Sequence, residues 1–330
     1  MLGFVFRRTI SALLVIITTS MLVFALFFFG PADPGNAICQ KSGRCTPERV
    51  EQINKSLGFD EPVISQYAVW AKGVFLGRTV DLGGSRIECP AACFGVSYNT
   101  RQPVTELLSA RFPATVSLAL GAAAIFFPLG VLLGTLAARK RGSALDRILV
   151  GSSLVMSSIP YYLVAVLAYL YIVVIWDLMN SEYVAITDNP YKWFIGLLLP
   201  WLVLGVTQST YYARFSRGSM VDALSEDYVR TANAKGLARR QVLVKHALRA
   251  AIVPVVTIFG LDLATLLAGT VFTEQIFGID GIGRMALQAI GDKDFPIISA
   301  TVLIAAVLVV VANVIVDIVY SIIDPRVRLS

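Results

Sequence analysis

The sequence predicts an all-α polytopic membrane protein with six membrane-spanning helices and an outer-side domain between the first two. Three observations carry that expectation. The 330-residue chain is 56% hydrophobic and only 15% charged, against about 25% charged in a soluble domain, so it has too little polar surface to cover a water-soluble globule. Its apolar residues gather in runs at or above the roughly 20 residues that a helix needs to cross hydrocarbon. Its basic residues are shared unevenly among the segments that join those runs.

The first run lies between Arg8 and Asp33. It is longer than the roughly 7–15-residue apolar core of a secretory signal, and no good small-x-small cleavage site follows, so it reads as a retained helix. Uncharged runs cover Phe112–Ala138, Ile148–Trp176 and Trp193–Ala213. Two more, Ala250–Thr273 and Phe295–Ile323, are each interrupted by one acid, Asp262 and Asp317. Pro128, Pro160, Pro200 and Pro254 fall inside these spans, where neighbouring helices can re-satisfy the freed carbonyls. Gly130 and Gly134 form a small-xxx-small pair that permits close helix contact, a pattern that also fits the ordinary glycine content of membrane helices.

Orientation follows from charge. With a cytoplasmic N-terminus, the inside segments 1–8, 139–147, 214–249 and 324–330 hold 16 of the 28 Lys and Arg in 60 residues; the outside segments 33–111, 177–192 and 274–294 hold 12 in 116. The positive-inside rule therefore places both termini in the cytoplasm. The net charge of +6 is then an imprint of topology and no nucleic-acid partner is implied. The expected organisation is an N-terminal helix (1–32), an extracytoplasmic domain (33–111), and a five-helix core (112–330) with a cytoplasmic loop at 214–250. Cys39, Cys45, Cys89 and Cys93 all fall in the outer segment, on the oxidising side. Disulfides are expected, with Cys39–Cys45 and Cys89–Cys93 favoured among three connectivities. Four unpaired or metal-binding thiols are the alternative, and no His lies near them.

The loop Arg214–Arg249 is where charge returns. Ser219 with Asp222 resembles a capping box. Ser225 is expected to cap a short helix carrying Glu226 and Asp227 in its first turn. That helix runs through Tyr228, Val229, Ala232 and Ala234 to Lys235, with Gly236 as a left-handed cap. A third helix, Arg239–Arg249, leads into the membrane at Pro254. The exposed Ala and Gly of the short helix ending at Gly236 would admit another protein closely, while Arg239, Arg240, Lys245 and Arg249 equally suit a loop lying on anionic headgroups. The residues alone leave both open.

The segment Asp227-Tyr-Val-Arg-Thr-Ala-Asn-Ala-Lys-Gly-Leu237, followed by His246-Ala-Leu-Arg249 and Ile252-Val-Pro254, resembles the coupling loop of ABC-importer permeases. More narrowly it resembles the first membrane subunit of the peptide/nickel branch. The superfamily's Glu-Ala-Ala, three residues, Gly pattern is met by Arg230-Thr231-Ala232 and Gly236, the Glu being absent. The stretches Leu57–Pro62, Tyr67, Trp70, Asp81-Leu-Gly83, Arg101–Thr115, Leu267-Ala-Gly269, Glu274-Gln-Ile-Phe277, Gly281-Ile-Gly283, Asp294-Phe-Pro296 and Asp324-Pro-Arg326 are similar to that branch too. The stretch Arg86–Ser97, with Cys89 and Cys93, departs from it and reads as an insertion.

This resemblance implies a type I ABC-importer permease in a bacterial cytoplasmic membrane, carrying peptides inward. It implies a second homologous permease, two cytoplasmic ATPase subunits or domains, and an extracytoplasmic peptide-binding protein. Asp227, Tyr228, Arg230, Thr231, Ala232, Ala234, Lys235, Gly236 and Leu237 would couple it to the ATPase. No cofactor is expected in this chain, with ATP and Mg on the partners. In agreement, the sequence contains no Gly-x-x-x-x-Gly-Lys-Ser/Thr loop. Nickel, haem or glutathione import within the same branch is an alternative, although a single cytoplasmic His246 gives nickel no support. A proton-coupled carrier is another. A charged Asp at mid-membrane costs at least about 2.5–3.5 kcal/mol, so Asp262 is expected to face the bundle interior and is a candidate for the translocation pathway. Asp317 lies near the inner end of its span. An intramembrane enzyme fails on inventory, since neither His-Glu-x-x-His nor Gly-x-Ser-x-Gly is present.

Overall fold

Backbone groups in hydrocarbon must be paired within their own segment, and the apolar runs accordingly fold as helices. The structure, a computed structural model, describes residues 2–28, 34–41, 46–56, 61–82 and 85–323. Helix α1 (Leu2–Phe28) is followed by α2 (Pro34–Lys41), α3 (Pro47–Ser56) and α4 (Val63–Leu76). An antiparallel hairpin of β1 (Arg78–Asp81) and β2 (Arg86–Cys89) comes next, with Arg78 opposite Cys89. Then come α5 (Val104–Arg139), α6 (Ala144–Ser158) and α7 (Tyr161–Ala168), the last extended by π-helical turns over Tyr169–Ile175. Helices α8 (Pro190–Ser225) and α9 (Asp227–Ala234) follow. Helix α10 (Arg239–Gln241) runs through π turns Val242–Leu248 into α11 (Arg249–Ala268). The chain continues through α12 (Val271–Phe277), α13 (Ile282–Asp292) and α14 (Phe295–Ile323).

Five helices have the length and composition of membrane spans: Phe6–Ala25 within α1, α5, α8, Arg239–Ala268, and Phe295–Val316 within α14. The expected third span, Ile148–Trp176, is instead a bent pair, with α6 and the α7 helix at 87° to each other. The break falls at Ile159–Pro160. Proline has no N–H to give and pushes the residue before it into extended backbone, and Ile159 sits at φ −88, ψ 124.

The loop expected from Arg214 onward is also corrected. Helix α8 continues without interruption to Ser225, so Ser219 and Asp222 lie inside it and start no helix. Nothing between Arg214 and Ser225 removes a backbone donor, and two arginines there are bound to α6, as described below. At 1.5 Å per residue, α5 and α8, each 36 residues, are about 54 Å long against about 30 Å of hydrocarbon. Both reach beyond the apolar layer.

Helices α5 and α8 form the most extensive pair in the molecule. A Cβ on Gly130 would lie 2.3 Å from Tyr212 Cβ, and one on Gly134 would lie 2.5 Å from the Ala213 carbonyl oxygen. Gly121 makes room for the Trp201 indole in the same way. The small-xxx-small pair is therefore a backbone-to-backbone contact. Beside it, fully buried Phe126 and Tyr212 meet with ring centroids 4.9 Å apart, and Phe259 of α11 closes on Phe126 at 5.8 Å. Between helices in lipid, attraction of this kind must come from dispersion and close fit.

A buried acid joins α5 to the α12–α13 turn. Glu274 is fully buried. It accepts hydrogen bonds from Thr115 Oγ1 at 2.9 Å, Thr270 Oγ1 at 3.3 Å and the Arg284 N–H at 2.8 Å. The Gly283 N–H adds a further bond, and Thr115 Oγ1 in turn accepts from the Ile282 N–H at 2.9 Å. These are the first N–H groups of α13, which have no partner within the helix, and a carboxylate at a helix N-terminus is favoured by its dipole. Burial raises the Glu274 pKa, and the donors oppose it. The turn expected around Gly278 is present, with Gly278 left-handed at φ 68.

In the segment between α1 and α5, Cys89 and Cys93 form a disulfide with Cα atoms 5.4 Å apart. Both pack with Leu82 and Val96. Cys39 is disulfide-bonded; Cys45 lies outside the described residues, as do residues 57–60, 83 and 324–326 of the motifs quoted above. Ser97 Oγ donates to Asp294 Oδ2 at 2.5 Å and the Asn99 N–H to the same oxygen at 3.2 Å, which fastens this segment to the residue preceding α14.

Two outcomes are expected. Gly130→Leu forces the α5–α8 contact apart, and overpacking of this kind costs about 1–3 kcal/mol or more; a thermal unfolding midpoint of the purified protein equal to that of the unaltered chain would sink the seam. Thr115→Val leaves Glu274 and the Ile282 N–H each short of a partner, at roughly 1–3 kcal/mol, and hydrogen–deuterium exchange at the start of α13 should accelerate.

Candidate functional site

Helix α9 stands beyond the span end of α8. Glu226, in extended backbone at φ −69 and ψ 147, turns the chain out of α8 and serves as the N-cap of α9. Ser225 is not the cap, because its hydroxyl bonds back to the Val221 carbonyl at 2.9 Å within α8. At the other end the Gly236 N–H bonds to the Asn233 carbonyl and the Leu237 N–H to the Ala232 carbonyl. With Gly236 at φ 74, these two bonds are the glycine-terminated cap expected from the sequence.

Two residues hold α9 in place. Val229 and Ala232, one helical turn apart, are buried among Met220 and Ala223 of α8, Ala138 of α5, Val242 and Ala247 of the π turns, and Ala251 of α11. The other residues of the expected set, Asp227, Tyr228, Arg230, Thr231, Ala234, Lys235, Gly236 and Leu237, are exposed. Ala232 therefore helps to hold the helix in place. Val229 was not in the expected set, although its apolar i,i+3 pairing with Ala232 is the signal that marks it. The Arg230–Asp227 pair is long at 3.5 Å and open to water, so it adds little. Arg239, Arg240, Lys245 and Arg249 are exposed along the helix that runs back into α11.

The end of α8 that supports α9 is clamped to α6. Arg217 Nε and Nη2 bind the two oxygens of Asp146 at 2.5 and 2.8 Å, and the Gly142 N–H adds a bond to Oδ2 at 2.9 Å. Arg214 Nη1 donates to the Ser153 carbonyl at 3.0 Å and Ser157 Oγ at 2.7 Å. The Asp146 side chain is buried, and the Arg217 guanidinium, with the Gly142 N–H, lowers its pKa to about 2. The sequence reading missed this clamp, whose partners are 71 residues apart; locally, Ser143 and Asp146 read only as a helix start, and Ser143 does cap α6.

Asp262 lies on α11 and accepts a hydrogen bond from Tyr212 Oη at 2.7 Å. It is half-buried and faces α8. The Asp317 side chain lies outside the described residues. His246 is half-buried on the π turns, and no group of His, Cys, Asp and Glu suited to a metal occurs among the described residues.

An acid with a lowered pKa contributes stability that is complete above its unfolded value, near 3.9, and lost as pH falls through the folded one. The clamp should therefore be indifferent to pH between about 5 and 8 and weaken from about pH 4 toward 2. Asp146→Asn should lower the unfolding midpoint at pH 7 and flatten that acid limb; an acid limb as steep as that of the unaltered chain would assign it to other carboxylates.

A search with family descriptions matches residues 130–329 to the binding-protein-dependent transport system inner membrane component, and residues 1–119 to its N-terminal companion. Over 329 residues the chain is 36% identical to a putative peptide transport system permease protein of Brucella abortus, covering 99% of each. It is 35% identical over 326 residues to a probable peptide ABC transporter permease protein of Sinorhizobium fredii, covering 98% of this chain and 99% of that one. It is 35% identical over 352 aligned positions to the dipeptide transport system permease protein of Escherichia coli, covering 99% of each. In fold it is similar to the methionine ABC transporter MetNI in inward-facing conformations, with a TM-score of 0.54, 17% identity, and coverage of 67% of this chain and 97% of that one. The family matches and the full-length relatives together define a membrane component of an ABC transporter. The chain belongs to the family of binding-protein-dependent transport system inner membrane components. It is a multi-pass permease, and not the subunit that hydrolyses ATP.

Proposed function

We propose that this chain is one permease subunit of an ATP-driven importer that moves peptides into the cytoplasm, and that α9 docks on the ATPase. The peptide and dipeptide transport named for its full-length relatives supports the substrate class. The observation that carries the docking reading is the division of α9 into a buried pair, Val229 and Ala232, and an outward face of Tyr228, Arg230, Thr231, Ala234, Lys235 and Leu237. The partners are two ATPase subunits or domains, which hold the ATP and Mg, a second homologous permease, and an extracytoplasmic peptide-binding protein. With the bent pair counted as one of six spans, the concentration of Lys and Arg on one side supports both termini and α9 in the cytoplasm and the cysteine-bearing segment outside.

Closure of the ATPase pair on ATP would carry the docked α9 with it. Because Val229 and Ala232 are wedged among the ends of α5, α8 and α11, that displacement reaches three membrane helices at once and drives a two-state switch of access. Asp262 is assigned to the pathway, with its side chain oriented by the Tyr212 hydroxyl.

The assembled complex in proteoliposomes, given ATP, the binding protein and a labelled dipeptide, tests this reading. Nothing lies within 4 Å of a Cβ on Gly236, yet its φ of +74 is one that β-branched residues avoid. Gly236→Asn should therefore transport, while Gly236→Val and the bulky surface change Ala234→Trp should lower uptake at least about tenfold, a loss of about 1.4 kcal/mol of coupling, with the complex still assembled. Uptake at the unaltered rate in both would remove α9 from the coupling path. Asp262→Asn separates charge from packing, and unchanged uptake across peptide lengths would take Asp262 out of the pathway.

A further inference from the structure

We propose that α4 is a membrane-surface helix whose free face lies in the headgroup–hydrocarbon boundary of the leaflet reached by the C-terminal end of α1, and that phospholipid covers it. On the 14-residue α4, Ile64 is 84% exposed, Phe75 79%, Leu76 72% and Val69 54%. At 100° per residue these four, with Ala68 and Lys72, fall on one continuous face, and the opposite face carries Tyr67, Trp70 and buried Gly73. A 14-residue helix offering four large apolar side chains on one side is far beyond the scattered apolar exposure that water tolerates.

The position of α4 relative to α1 names the occupant. Ser20 shares a hydrogen bond of 2.7 Å with the Tyr67 hydroxyl. The Phe24 ring lies 5.5 Å from Tyr67 and 6.0 Å from Trp70. Helix α1 continues to Phe28, so these anchors sit about 12 and about 6 Å before its C-terminal end at 1.5 Å per residue. Amphipathic helices that lie on a membrane are immersed by about 5–10 Å. Leu13, Leu14, Ile17, Met21 and Leu22 of the span are exposed, so the bare face of α4 continues an apolar surface suited to lipid. Tyr67 and Trp70 have the amphipathic rings favoured at that depth. Lys72, the one charge on the free face, has a stem long enough to lift its ammonium to the headgroups.

The arrangement moors the disulfide loop to the membrane. The Ala92 N–H bonds to the Val74 carbonyl at 2.8 Å and Trp70 Nε1 to the Phe94 carbonyl at 3.3 Å, so the Cys89–Cys93 loop hangs directly from α4.

The test places the photo-crosslinking residue p-benzoylphenylalanine at Phe75 and, in a second variant, at Ile64, in the full complex reconstituted in phospholipid vesicles. Exposed Arg49 of polar α3 is the comparison site. Irradiation followed by mass spectrometry should give phospholipid adducts at positions 75 and 64 and none at 49. Adducts to another protein subunit at 75 and 64 would make the face a docking surface instead and overturn the proposal. Lipid adducts no more abundant there than at 49 would overturn it equally, and two independent positions guard against one variant failing to fold.

Discussion

Two helices of equal length lie backbone against backbone, and α6, α9, α11 and α13 hang from one or the other. Where Gly130 and Gly134 of α5 meet Tyr212 and Ala213 of α8 there is no space for even a methyl group. The pair can therefore neither slide nor separate without losing its whole contact. Helix α8 carries α6 through Arg214 and Arg217, α9 at its far end, and α11 through the Tyr212–Asp262 bond. Helix α5 carries α13 through Thr115 and Glu274. A displacement applied at one end of such a frame is delivered to every attached element, since packed interiors deform little.

That frame explains why an eight-residue helix can serve as a handle. Isolated helices of this length are marginal in water, and α9 has only a weak exposed ion pair of its own. Its stability comes from the apolar wedge of Val229 and Ala232 and from a cap that satisfies its last carbonyls by backbone alone. The outward side chains are thereby freed from any structural duty and left for recognition. The clamp between Asp146 and Arg217 stiffens the support underneath, with two parallel charge-assisted bonds that fix direction as well as distance.

Much of this was legible in the residues. Apolar run length located the five single-helix spans, and the order of Asp227, Tyr228, Gly236 and Leu237 located α9 and its cap, because helix ends and left-handed turns have local chemical requirements. Legibility failed where the deciding partner is far away in the chain. Ser219, Asp222 and Ser225 carry good capping chemistry, yet α8 passes through the first two and ends at the third, because arginines on its flank bind α6 and keep the helix going. Pro160 was read as a kink, but the angle it produces, 87°, is set by how α6 and α7 pack on α8, which no local pattern encodes. Glu274 was visible only as part of a family resemblance. Its role depends on Thr115, 159 residues earlier.

That separation has a consequence for how the protein is made. Glu274 and the first amide groups of α13 emerge long after α5 and must lose their water to reach the buried site. Until the Thr115 hydroxyl arrives, which donates to the acid and accepts from Ile282, they form a solvated, unfinished junction that resists burial. The early and late parts of the chain are thus made to recognise each other through one hydroxyl. Biogenesis acquires an order: α5 must be seated before the start of α13 can close on it.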